Sequence, residues 1–320
     1  MAERSYSSAL APCIEGLVAA KRACGFSYEQ VAYNLERIDR FCTESGFADP
    51  VVTREMAAAW AEAVPGEGGA SRQSRMSALC QLSLHMRSLG MDAYVPSNFS
   101  SRERPVSYIP TAREVSALLE AADSYEDPHS NTGHMAAGYG VAFRLMLCCG
   151  LRLSECCSLA SRDFDGREGT VFIRHSKGDK DRLVYLAGDA TDMLRSHLGA
   201  LRRRLGFPPA WVFPGKDPAS HIAKGTLDRK FAQFWAQVPG AASHDRRPTP
   251  HSLRHAFVVN RRNAGMEAGA DLGQMMPYLA AYLGHESSSE TFYYYHQVRE
   301  AFSIVRQRDE IAPRVIPEVM

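Results

Sequence analysis

The sequence predicts a mainly α-helical protein with one small antiparallel β-sheet, divided into two domains. Three observations predict it. Apolar residues recur at helical spacing through residues 6–90 and again beyond residue 111. A single pair of β-rich runs, 170–174 and 182–186, brackets a polar turn containing glycine. Between the two helical regions, residues 91–110 lose all periodicity and collect Pro96, Asn98, Pro105 and Pro110. A length of 320 residues is comfortable for two domains.

The first domain spans residues 1–90. Leu10, Ile14, Leu17 and Val18 share one helix face, and Val31, Leu35, Ile38 and Phe41 share another, with Gly25 and Gly46 as stops. A short third helix fits 53–63. After the loop Pro65-Gly66-Glu67-Gly68-Gly69, a fourth fits 71–89. Four helices joined by short turns predict a small bundle. Residues 91–110 read as a linker. The second domain, 111–310, opens on a capping box, Thr111 to Glu114, with Val115, Leu118 and Leu119 on the face that follows. Helices are expected at 134–149, from 152, and at 188–204, 225–237, 250–264, 272–283 and 287–307. Residues 311–320 read as an extended tail.

Composition narrows the function classes. Hydrophobic residues make up 45% and charged residues 23%, enough to bury an ordinary core. No apolar run is long enough to span a membrane, and Met1 to Ser5 does not open a signal peptide, so a cytoplasmic protein is expected. The eight cysteines, at 13, 24, 42, 80, 148, 149, 156 and 157, contain no Cys-x-x-Cys spacing. Adjacent helical residues diverge, so the two doublets make a poor metal site, and buried free thiols are expected. Net charge is only +1. Residues 1–100 carry 9 basic and 11 acidic side chains, and residues 101–320 carry 28 and 25. Any nucleic-acid surface is therefore local. Arg202-Arg203-Arg204, Arg246-Arg247 and Arg261-Arg262 are its candidates, though each is equally a solvated helix face.

Four segments of the second domain carry side chains suited to chemistry. In Gly150-Leu151-Arg152-Leu153-Ser154-Glu155, Arg152 starts a helix and Glu155, three residues on, can hold its guanidinium. Lys177 lies in the hairpin turn His175-Ser176-Lys177-Gly178-Asp179-Lys180-Asp181. In Pro250-His251-Ser252-Leu253-Arg254-His255, Thr249 can cap the helix and Pro250 suits its first position. His251 and Arg254 then share a face at a helix start, a place that suits a phosphate. Last come Leu283-Gly284-His285 and Tyr293-Tyr294-Tyr295-His296. Consecutive tyrosines on a helix point about 100° apart, so one alone faces a given site.

Each signal has a plain structural reading: an ion pair, a solvated lysine, a capped helix, a core aromatic. Together they form one constellation of two arginines, a lysine, two histidines and a tyrosine, suited to attack on a phosphodiester. Arginines clamp non-bridging oxygens as negative charge develops. A tyrosine hydroxyl can form a covalent ester. Histidine and lysine move protons. No metal or other cofactor is expected.

In order and spacing these segments closely resemble the tyrosine recombinase family, which includes phage integrases, Xer-type recombinases, integron integrases and transposon recombinases. The resemblance covers about residues 111–310. It implies a catalytic domain there, preceded by a helical core-DNA-binding domain over 1–90. It implies catalytic roles for Arg152, Lys177 (rather than Lys180), His251, Arg254, His285 and the nucleophile Tyr294, supported by Glu155 and His255. Tyr294 is selected because the family's tyrosine typically lies nine residues past the last histidine; Tyr293 and Tyr295 are the fallbacks. Further implied are a 3′-phosphotyrosyl intermediate, strand exchange through a Holliday junction, and a tetramer on paired double-stranded DNA sites, with accessory DNA-binding proteins possible. Two departures stand out: a long stretch between His255 and His285 holding Gln274-Met275-Met276, and the acidic Glu286 and Glu290 close to the last box. A mobile-element integrase or transposase is favoured, with Xer-type dimer resolution or a type IB topoisomerase-like enzyme as alternatives.

Overall fold

The computed structural model describes residues 4–26, 28–62, 64–97, 108–129, 132–174, 176, 181–243 and 247–284. The chain falls into two compact units, Met1–Pro105 and Val106–Met320.

Among the described residues of the first unit there are four helices: α1 (Ala11–Ala23), α2 (Glu29–Ser45), α3 (Arg54–Ala61) and α4 (Gly69–Ser88). Their apolar stripes bury Ile14, Leu17, Leu35, Ile38, Met56, Leu79 and Leu82 in one core. Local chemistry sets the boundaries. Thr53 accepts from the Met56 amide at 3.1 Å to start α3, and Gly46 ends α2 at φ 74°. Met91, Ala93 and Tyr94, in the stretch read as linker, pack into this same core. A buried ion pair closes the loop between α3 and α4. Arg75 forks onto Glu67 at 2.9 and 2.8 Å, donates to the Trp60 and Glu62 carbonyls, and stacks 4.7 Å over the Trp60 ring.

The second unit contains α5 (Ala112–Asp123), α6 (Gly133–Cys149), α7 (Leu153–Cys157), a three-stranded sheet, α8 (Gly188–Leu205), α9 (Lys224–Trp235), α10 (Pro250–Glu267) and α11 (Leu272–Leu283). The Thr111–Glu114 capping box forms as read. Helix α6 is apolar nearly all round and runs through the core, packed on α5, α8 and α10. Tyr139 and Phe143 on α6 meet Phe231 and Phe234 of α9 edge-on or tilted.

The sheet has one strand more than the sequence suggests. β1 (Phe164–Asp165), β2 (Thr170–Ile173) and β3 (Arg182–Tyr185) are antiparallel in that order, with Ile173 opposite Arg182. Two residues are too few to show a period, and that hid β1. The turn residues 177–180 lie outside the described residues.

The long stretch after His255 is accommodated by a sharp corner. Helix α10 ends before Gly269 at φ 86°, and Asp271 caps α11. The Met-rich run then seats α11 on α10: Met276 is buried, and Met275 lies where a Cβ on Gly265 would stand. All eight cysteines are free thiols; Cys42, Cys149, Cys156 and Cys157 are buried. Of the basic candidates, Arg202, Arg203, Arg204, Arg247 and Arg261 are exposed. Arg262 is instead fully buried, so that pair does not present two surface charges. Among the described residues no helix is long and apolar enough to cross a membrane.

Candidate active site

The site is assembled where α6, α10 and α11 meet. Gly150 ends α6 at φ 63°, a conformation that costs a side chain dearly. It is also a point of close approach: a Cβ there would meet Phe257 of α10 at 2.6 Å and Leu283 of α11 at 2.8 Å. The chain turns sharply at Gly150, which puts Arg152 at the N-cap of α7.

Arg152 is held on three sides. Nη1 donates to Glu155 Oε1 and to Ser176 Oγ, both at 2.8 Å, and Nη2 donates to the Gly284 carbonyl at 2.7 Å. The Glu155 carboxylate also accepts from the Arg152 backbone amide at 2.8 Å. Arg254 lies deeper. It is 1% exposed, and its guanidinium donates to the Gly150 and Leu283 carbonyls. Those carbonyls lie at or beside the C-termini of α6 and α11, where unpaired acceptors and the negative helix ends favour a cation. The HxxR segment is thus split: Arg254 is buried, while His251 is exposed at the helix start.

Glu155 is the hub. Arg182, at the start of β3, forks onto it with Nη1 to Oε1 and Nη2 to Oε2, both 2.8 Å, and Ser176 Oγ donates to Oε1 at 2.6 Å. Arg254 Nη1 stands 4.0 Å from Oε2. Burial alone would push this carboxyl up. The Arg182 fork and charge, the Ser176 hydroxyl and the Arg152 amide outweigh it and hold Glu155 well below the usual carboxylate range. His251 is exposed as a residue, yet protein packed around its ring strips part of its hydration; that desolvation, then the charges of Arg254 and Arg152, push the imidazole down to about 4. It is neutral at pH 7 and able to accept a proton. The His251 and His255 rings meet edge to face, with centroids 4.4 Å apart. His255 is buried on the inner side of α10.

Five of the expected residues thus converge: Arg152, Glu155, His251, Arg254 and His255. Lys177, His285 and Tyr294 lie outside the described residues, as do Lys180, Tyr293, Tyr295, His296, Glu286, Glu290, the expected helix over 287–307 and the tail 311–320. The last described residue, Gly284, touches Arg152 through its carbonyl. Sequence reasoning missed Ser176 and Arg182. Arg182 is 27 residues from Glu155, and nothing in a β-rich run marks its first residue as the partner of a distant carboxylate.

A helical unit carrying a small three-stranded sheet is similar in fold to solved DNA recombinases. The integrase of transposon Tn1549 in complex with transposon right end DNA superposes with a TM-score of 0.63 at 16% identity, covering 93% of this chain and 99% of that one. XerH site-specific recombinase bound to palindromic difH substrate gives 0.62 at 18%, covering 87% and 78%. At these identities the likeness concerns the fold. The sequence goes further: residues 110–301 match the phage integrase family, and the chain belongs to it. An integrase/recombinase of Sinorhizobium fredii, y4eF, is 34% identical over 169 residues, covering 52% of this chain and 60% of the relative. Tyrosine recombinase XerC of Halalkalibacterium halodurans is 32% identical over 159 residues, covering 49% and 50%. The chain thus spans about half the length of these curated relatives.

Proposed function

We propose that this chain is a site-specific DNA recombinase that cleaves and rejoins double-stranded DNA through a covalent tyrosyl intermediate. The observation that carries the reading is the convergence of Arg152 and Arg254 on the last turn of α11 beside a neutral His251. Arg152 and Arg254 bind the non-bridging oxygens of the scissile phosphate and offset the charge of the pentacoordinate transition state. His251 and His285 hold and move the tyrosine proton. The Tyr294 oxygen attacks phosphorus, the P–O5′ bond breaks, and Lys177 gives a proton to the leaving 5′ oxygen. The product is a 3′-phosphotyrosyl ester and a free 5′-hydroxyl. Attack by a partner strand's hydroxyl reverses the step without ATP and, repeated, exchanges strands through a Holliday junction. Glu155 and His255 support the arginines and His251.

The organisation proposed with this activity is a core-DNA-binding bundle over 1–90, a linker over 91–110, a catalytic domain over 111–310 and a tail over 311–320, acting as a tetramer on two paired sites in the cytoplasm. The biological setting proposed is integration or transposition of a mobile element. The second reading is an Xer-type recombinase acting in dimer resolution; similarity to tyrosine recombinase XerC supports its Xer-type part.

The test is covalent trapping. The protein is mixed with nicked duplexes tiled across the ends of its native locus, and a denaturant-resistant protein–DNA band is sought. The reading expects a band that disappears in Tyr294→Phe. A band that persists in Tyr294→Phe moves the nucleophile to Tyr293 or Tyr295. Absence of any wild-type band on duplexes that the protein binds overturns the reading. Exchange between two marked sites separates a recombinase from a topoisomerase-like enzyme.

A further inference from the structure

Two arginines touch Glu155, and they are used differently. Arg152 commits three of its five N–H groups, to Glu155, Ser176 and the Gly284 carbonyl. The other two have no partner among the described residues, and the side chain keeps 15% exposure. Arg182 is turned inward. It spends both terminal nitrogens on Glu155, brings Nη1 within 3.3 Å of Ser176 Oγ, donates Nε to the Tyr282 carbonyl at 2.9 Å, and keeps 10% exposure. The end-on fork, the strongest geometry a carboxylate can accept, comes from Arg182 and not from Arg152.

The charges explain why this matters. Three guanidiniums, Arg152, Arg182 and Arg254, surround one carboxylate, leaving a net of two positive charges at the cradle. Without Arg182, Arg152 would be the one cation left at hydrogen-bond distance from Glu155, with Arg254 at 4.0 Å and Ser176 as a neutral donor. The cradle would fall to one net charge, and the arm meant for a phosphate would be half neutralised by its own support. The second tie adds geometry. Arg182 joins β3 to Tyr282, two residues before the carbonyl that fixes Arg152. A Cβ on Gly284 would stand 3.3 Å from Arg182 Nη1 and 3.5 Å from Arg152 Nη1, so both guanidiniums pack against the exit of α11.

We infer that Arg182 is a positioning residue: it takes up the charge of Glu155 and fixes the end of α11, leaving Arg152 oriented and net positive toward a bound phosphate. This rests on the phosphate-cradle reading above.

The experiment compares single-turnover formation of the covalent adduct, on the duplex that traps the wild-type protein, for Arg182→Gln, Arg182→Lys, Glu155→Gln and the double variant Arg182→Gln/Glu155→Gln. Duplex affinity by gel shift and folding by thermal melting are read alongside. Arg182→Gln is expected to slow adduct formation about 100-fold, the scale of a misplaced catalytic group, with affinity for the duplex changed less than about threefold. Arg182→Lys keeps the charge but loses the fork, and it should fall between the two. The decisive readout is rescue. Removing the carboxylate charge as well restores the net of two positive charges, so the double variant should react at least tenfold faster than Arg182→Gln. A purely structural role predicts the opposite, a double variant as slow as or slower than the single one at equal or lower melting temperature, and that result overturns the inference. So does an Arg182→Gln protein that cleaves at the wild-type rate. Failure of the wild-type protein itself to form an adduct would instead count against the function proposed above.

Discussion

Gly150→Ala tests how the site is built. The residue stands at φ 63°, and a left-handed alanine costs about 1–2 kcal/mol. Its new methyl would lie 2.6 Å from Phe257 and 2.8 Å from Leu283. Both neighbours are buried, at 4% and 0% exposure, so neither can swing into solvent, and overpacking of this kind costs about 1–3 kcal/mol. The expected loss is about 2–5 kcal/mol for the second unit. Denaturant unfolding would be followed by tryptophan emission in a Trp60→Phe background, in which the remaining two tryptophans, Trp211 and Trp235, both belong to that unit. Gly188→Ala is the control, since its Cβ meets nothing within 4 Å at the first position of α8; it should be neutral or stabilising by up to about 1 kcal/mol. Adduct formation should also fall in Gly150→Ala beyond the folded fraction, because the Gly150 carbonyl that seats Arg254 moves with the backbone. A loss below about 1 kcal/mol with full cleavage would refute the claim that α6, α10 and α11 are wedged at this glycine.

Two further expectations concern charge. His251 titrates at about 4 in the folded chain and near 6.5 unfolded, so the unfolded state binds the extra proton between those values. Its contribution is complete above about pH 6.5 and is lost as pH falls toward 4; His251→Gln should flatten the decline of melting temperature over that window, and identical slopes would contradict the assigned environment. In the first unit, Arg75→Ala strands a buried Glu67 and should cost about 3–5 kcal/mol. Core amides of α2 and α4 should then exchange more than about 100-fold faster, and a change below tenfold would show that this ion pair does not hold the bundle.

Much of the fold was legible because its determinants are local. The helix faces of Ile14–Leu17 and Leu35–Ile38, the Thr111–Glu114 box and the two β-rich runs are written in neighbouring residues, and each formed at or near its expected position. The two-residue strand β1 escaped notice because it carries no period, and the buried Arg262 was read as surface charge because an Arg-Arg pair looks the same whether or not a core covers it. For the site, the sequence by itself determined which side chains were available, and it placed Arg152 with Glu155 and His251 with Arg254 at helix starts, since spacings of three are fixed by helix geometry. Only the tertiary structure decided their partners. It turned Arg254 inward onto the Gly150 and Leu283 carbonyls, brought Arg182 and Ser176 onto Glu155, and set the His251 imidazole among cations. The reason is physical: burial and Coulombic environment depend on which distant segments share a space, and a periodicity of three to four residues carries no information about that.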